Sequence, residues 1–175
     1  MYRPGHLGVS LLAFAPIGYL LVALGSPLAS VMTGGAMLWL AMLPDVDHRL
    51  PVIRHRGPTH SLLFAALVGG AFAAVGLLLA ALGGASVIAE LLGLGAFPGI
   101  GLAAFGFAVG FLSVAAHLLG DLLTPAGVNL FWPVGKKYTL SVTRADNTLA
   151  NYGLFLLGIF AVAVAALLAF QRAPL

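Results

Sequence analysis

Five runs of nearly uninterrupted apolar residues, each about long enough to cross a lipid bilayer, set what this chain can fold into. A hydrocarbon core about 30 Å thick takes roughly 20 apolar residues per helix. It holds only helices or closed barrels, because no water is present there to satisfy bare backbone groups. The runs are Leu7 to Leu24, Leu28 to Leu43, Ser61 to Leu82, about Gly99 to Leu119, and about Asn151 to Phe170. Pro16 interrupts the first run, and Gly25-Ser26-Pro27 ends it. Its length reads as a span rather than a signal peptide, and Gly25-Ser26-Pro27 makes a poor cleavage site. Pro44 and Asp45 end the second run, which is short enough to tilt little or to reach only part way. The stretch from Ser86 to Phe97 is apolar but too short to span, and reads as a helical extension or an interfacial segment. Gly69-Gly70, Gly106 and Gly110 lie inside runs, where small residues let helices approach closely.

Charged residues are 7% of the chain and hydrophobic ones 61%, where a soluble domain carries about a quarter charged residues. Lipid is therefore part of the solvent. The expectation is an all-α polytopic membrane helix bundle, one domain over residues 1–175, with five transmembrane helices.

Five spans divide the connecting segments between two sides. One side receives Arg3, Arg49, Arg54, Arg56, Lys136, Lys137 and Arg144; the other receives Arg172. By the positive-inside rule the first side, with the N-terminus, is expected to be cytoplasmic. A formal charge of +3 spread beside spans gives no nucleic-acid signature. The same partition puts all five histidines, and every acidic residue except Glu90, on or just inside the basic side. An even span count would scatter them.

Three clusters carry chemistry. In Leu43-Pro44-Asp45-Val46-Asp47-His48, two carboxylates and an imidazole follow a span directly and can converge on one cation. In Arg54-His55-Arg56-Gly57-Pro58-Thr59-His60-Ser61, a Gly-Pro turn precedes the third span, which Thr59 could cap. Arg56 and that helix N-terminus suit an anion, whereas Arg54 reads as a membrane anchor. In His117-Leu118-Leu119-Gly120-Asp121, imidazole and carboxylate lie four apart on one helical face. Asp121 is then either a ligand or the carboxylate that orients His117. His6 opens the first span and joins this set because every other histidine shares its side. Pro125 and Gly127 form a turn, Phe131 and Trp132 resemble an interfacial belt, and Lys136, Lys137 and Arg144 make a basic patch suited to anionic lipid or substrate. With no cysteine, a metal must be held by imidazole and carboxylate. That suits zinc first, as one or two ions, with manganese or iron(II) as alternatives.

Gly5-His6-Leu7, Leu43-Pro44-Asp45-Val46-Asp47-His48, His55-Arg56-Gly57-Pro58-Thr59-His60-Ser61 and His117-Leu118-Leu119-Gly120-Asp121-Leu122-Leu123-Thr124-Pro125-Ala126-Gly127, followed by Trp132-Pro133, resemble the YdjM-like family (LexA-regulated type) of membrane-bound metal-dependent hydrolases. The resemblance runs from His6 to about Pro133, in order and in membrane setting. It implies an inner-membrane protein with metal-dependent hydrolase activity. The pattern is also similar to that of zinc-dependent phospholipase C enzymes, which implies phosphoester chemistry.

The sequence thus leads to a metal-dependent hydrolase at the cytoplasmic membrane face, acting on an anionic small molecule or lipid. Its expected ligands are His6, Asp45, Asp47, His48, His55, His60, His117 and Asp121, with Asp47 as general base and Arg56 stabilising charge on a phosphoryl or acyl oxygen. The competing readings are a metal-binding or metal-transporting protein, and one whose metal locks the helices.

Overall fold

The computed structural model describes residues 1–49, 55–94 and 101–172. Arg54, the far end of the Ser86 stretch and the expected start of the fourth span at Gly99 lie outside the described residues. Among the described residues the protein is all-helical, with six α-helices and five candidate membrane spans. They are α1 (Arg3–Ala23), α2 (Pro27–Leu40), α3 (Leu62–Ala81), α4 (Ala85–Leu91), α5 (Leu102–Leu122) and α6 (Thr148–Arg172). α4 is the short helix inside the Ser86 stretch.

α2 holds 14 residues, about 21 Å of helix and shorter than a hydrocarbon core. A 3-10 turn over Pro44–Arg49 continues the crossing. Pro44 lacks an N–H and disfavours α geometry before it, so the helix gives way there. The polar triplet that follows is thereby drawn to the end of the bundle. α5 runs one turn past the expected Leu119 and carries both His117 and Asp121 on regular helix.

α1 packs along α6 and α3 along α5, while α2 touches α1 and α5. The approaches are made over small residues. A Cβ on Gly106 would lie 2.6 Å from the Phe72 carbonyl oxygen, and one on Gly110 would lie 2.9 Å from that of Val68. The Gly106/Gly110 spacing therefore serves packing within the chain. Gly158 of α6 meets Gly8 of α1 in the same way: an added Cβ on Gly158 would lie 2.7 Å from the Gly8 carbonyl oxygen. α3 and α6 form the outside of the bundle: only 17% and 11% of their apolar windows are buried, against 44% for the other spans. Leu67, Leu78, Phe160 and Leu167 are among the side chains they leave exposed. In water this would be a large apolar patch; in lipid it is an ordinary outer wall.

Polar side chains concentrate at one end. His6, Asp47, Thr59, His60, His117, Asp121 and Thr124 are all buried. At the opposite end, Ser26 Oγ donates to the Gly93 carbonyl and Arg172 donates to Tyr19 Oη. The segment after α5 returns over the polar end. Backbone N–H groups of Leu140, Val142 and Thr143 reach the Leu122 and Leu123 carbonyls, and Leu62 N–H reaches that of Leu130. The free carbonyls at the end of α5 are satisfied in this way.

Close approach predicts an asymmetric response among these glycines. Gly110→Val should destabilise the detergent-solubilised protein by about 1–3 kcal/mol. Gly70→Ala, where an added Cβ meets nothing within 4 Å, should stay within about 0.5 kcal/mol. Scanning fluorimetry of the two variants checks this.

Candidate metal centre

Asp47 organises the two irregular turns. Its Oδ1 accepts from His55 Nδ1 at 3.0 Å. Its Oδ2 accepts from Arg56 N–H at 3.2 Å and from Thr59 Oγ1 at 2.9 Å, and lies 3.2 Å from His60 Nδ1. Thr59, expected to cap the third span, is used here instead. The cap is Ser61, whose Oγ accepts from Phe64 N–H at 3.1 Å. His60 therefore sits in a 3-10 turn (Pro58–His60) just before α3 rather than in its first turn. At that helix N-terminus, where an anion site was expected, Ser61 Oγ takes the Phe64 N–H and the Leu130 carbonyl the Leu62 N–H.

These contacts fix tautomers. Thr59 Oγ1, which gives its own proton to Asp47, accepts from His60 Nδ1 at 3.0 Å, which leaves a lone pair on Nε2. His117 Nδ1 donates to the Ala41 carbonyl at 2.7 Å, a carbonyl left free because α2 ends there. His117 Nε2 is then also a lone pair. The two Nε2 atoms face each other at 3.3 Å. They form one edge shared by two triangles. Asp45 Oδ1 completes the first, 3.2 Å from His60 and 3.7 Å from His117. Asp121 Oδ2 completes the second, at 3.4 and 3.6 Å. Ligand atoms about 2.0–2.1 Å from a tetrahedral zinc stand about 3.3 Å apart. Acceptors without protons converge on a buried gap, and that arrangement is repulsive until positive charge enters.

His6 extends the set. Its ring stacks on His117 with centroids 3.9 Å apart and planes within 4°. Both its nitrogens are buried without a hydrogen-bond partner, as is Asp121 Oδ2. His6 Nε2 lies 3.7 Å from Asp121 Oδ1. Orphaned buried acceptors of this kind fit a cation. Gly120 makes room for them: a Cβ there would lie 2.7 Å from His6 Nδ1.

A second group lies further out. Asp45, Asp47, His48 and His55 each offer a ligand atom within 4.8 Å of one another, and His48 and His55 are exposed. Their rings approach to 3.8 Å. Asp45 belongs to both groups. Arg56 takes a left-handed backbone with φ 59°, a strained state for a non-glycine residue. Its guanidinium donates to Asp121 Oδ1 at 3.0 Å, Thr124 Oγ1 at 3.3 Å and the Gly127 carbonyl at 2.9 Å.

All eight residues expected as ligands, and Arg56, are therefore at one end of the bundle, in two adjoining groups. The sequence reading missed Gly120, the Ala41 carbonyl, Thr124 and Asn129. Gly120 stands inside the quoted motif, and its smallness beside an i, i+4 ligand pair was the available signal.

A family model described as YdjM inner membrane protein matches residues 1–174. No curated protein and no solved structure matches the chain.

Cation binding should stabilise this end of the bundle. Zinc at about 100 times its Kd should add about 2.7 kcal/mol, read as a rise in apparent Tm. The shift should vanish in His117→Ala, which belongs to both inner groups of potential ligands, and largely survive in His48→Ala.

Proposed function

The chain belongs to the YdjM inner membrane protein family, and from that membership and the buried His/Asp cluster we propose a membrane-embedded metal-dependent hydrolase acting on a phosphoester or lipid-type substrate. The observation that carries this reading is the buried pair of imidazole nitrogens 3.3 Å apart, flanked by two carboxylates. His60 and His117, with Asp45 or Asp121, would hold one ion and leave a position open, the layout of catalytic zinc sites. Zinc fits this nitrogen and oxygen set, and manganese or iron(II) accept it too. His6 is the adjoining donor. Asp45, Asp47, His48 and His55 would hold a second ion.

A bound cation would supply Lewis acidity toward an ester oxygen and make water acidic enough to attack near neutral pH. The protein's own groups do the rest. Asp47 keeps the Nδ1 proton of His55 in place, and through Thr59 that of His60. Asp47, expected as the general base, has both oxygens engaged by donors, so with a single ion bound the partly exposed His55 takes a proton at Nε2 while Asp47 steadies the resulting charge. With two ions, His48 and His55 serve as ligands, and metal stoichiometry separates the cases. Arg56 holds Asp121 and offers positive charge where an oxygen becomes negative.

The excess of basic residues at the site's end supports a cytoplasmic site. The competing reading is a metal-binding protein without turnover. It gains from the presence of both Asp45 and Asp121 beside His60 and His117, since four protein ligands close a tetrahedral shell.

Two measurements decide. Purified protein loaded with zinc should hydrolyse members of a phosphodiester and phospholipid panel. Chelation or His60→Ala should reduce turnover at least about 100-fold; metal bound at full stoichiometry with no turnover selects the competing reading. Orientation follows from the lack of native cysteine. Val142→Cys, on the exposed loop at the site's end, should react with impermeant thiol reagents only from the cytoplasm, and Ser86→Cys only from outside.

A further inference from the structure

A cavity of about 380 Å³ adjoins the metal cluster, with His55, Arg56, Asn129, Trp132 and Lys137 among its walls. It lies within the usual size range for small-molecule sites, about 300–1,000 Å³. Its charge has one sign: among the described residues Arg56 and Lys137 line it, and no carboxylate does. Two of its walls are also parts of the cluster. His55 bonds Asp47, and Arg56 bonds Asp121. Whatever occupies the cavity is therefore one side chain away from the convergent imidazoles.

Asn129 supplies an independent sign of a ligand. The residue is 8% exposed, and its side-chain Oδ1 is buried without a hydrogen-bond partner. An acceptor left so costs about 1–3 kcal/mol, which a ligand donating to it, such as a phosphate hydroxyl, would recover. Lys137 makes no ion pair with any carboxylate among the described residues, whereas the neighbouring Lys136 lies over the Tyr138 ring at 5.6 Å and outside the cavity.

We propose that this cavity is an anion subsite that receives the phosphate group of the substrate, with Lys137 and Arg56 as its donors and Asn129 Oδ1 accepting from a phosphate hydroxyl. The assignment rests on the hydrolase reading for what happens to the phosphate, but not for its binding. Phosphate carried by a lipid headgroup and phosphate on a soluble ester share this chemistry.

The test uses full-length protein in phosphatidylcholine nanodiscs. Trp39→Phe leaves Trp132 as the single tryptophan, since the chain has two, and its fluorescence reports the cavity. Inorganic phosphate is titrated in one arm, and phosphatidic acid is introduced into the disc in the other. Each is run on metal-loaded and metal-stripped protein. Saturable binding is expected in at least one arm, and the responding arm identifies the source. Lys137→Glu and Asn129→Asp should each weaken it about tenfold or more, with Lys136→Glu unchanged and the lysine dependence kept after metal removal. Absence of saturable binding in both arms overturns the proposal. So does equal weakening by Lys136→Glu and Lys137→Glu, which would mark a diffuse basic surface. Binding as described without turnover removes the hydrolase reading and leaves the subsite. Turnover that ignores Lys137→Glu and Asn129→Asp removes the subsite and leaves the hydrolase.

Discussion

A buried carboxylate with no helix to support it holds the polar end of this protein together. Asp47 is 2% exposed, and the two turns around it have no regular ladder of their own. A charge in that setting is tolerated only when its lone pairs are met by donors. Three donors meet them, His55, the Arg56 backbone and Thr59, and Thr59 in turn accepts from His60 Nδ1. The turn that follows α2 and the turn that precedes α3 are thereby tied to one another. The same contacts set the tautomer of His60, so the folding constraint and the coordination chemistry come from one side chain. The left-handed backbone at Arg56 belongs to this arrangement. Its N–H points at Asp47 while its guanidinium reaches Asp121 and the end of α5. A strain of about 1–3 kcal/mol is outweighed by hydrogen bonds to charged groups, each about 1.5–3 kcal/mol.

The apolar body follows a different logic. Lipid offers no hydrophobic drive for helices to associate, so close packing and polar contacts hold them together. Gly106 and Gly110 bring α5 onto α3, and Gly8 and Gly158 bring α1 onto α6. Asn151, fully buried, takes a hydrogen bond from the Tyr2 N–H and gives two, to the Ala145 and Asn147 carbonyls before α6. The scaffold that carries the site is fastened at both kinds of contact.

Much of this was legible in the sequence. Apolar run length gives the five spans, because bilayer thickness is a ruler that sequence can be measured against. The odd span count and the location of Asp45, His60 and His117 near run ends gave the one-sided cluster. What stayed hidden depends on three-dimensional neighbours. Thr59 and Ser61 are both competent caps by type, and only the position of Asp47 decides which one caps. Gly120 is unremarkable until His6, from more than a hundred residues away, lies against it. Asn129 sits in a stretch with no periodicity, and its burial comes from the return of the chain over α5. The ends of α5 and α6 also ran past the hydropathy boundaries, since helix can continue into polar sequence where lipid stops.

The five imidazoles touch in series. His6 lies on His117, His117 meets His60 edge-on at 5.1 Å, His60 meets His55 at 5.1 Å, and His55 lies against His48. The row starts at a fully enclosed ring and finishes at an exposed one. No ring in it can rotate or change its hydrogen-bonding pattern without altering what its neighbour meets. The energetics of the row therefore belong to the ensemble, and free energies obtained by replacing one imidazole at a time will not sum. Only thermodynamic cycles on neighbouring pairs can apportion them.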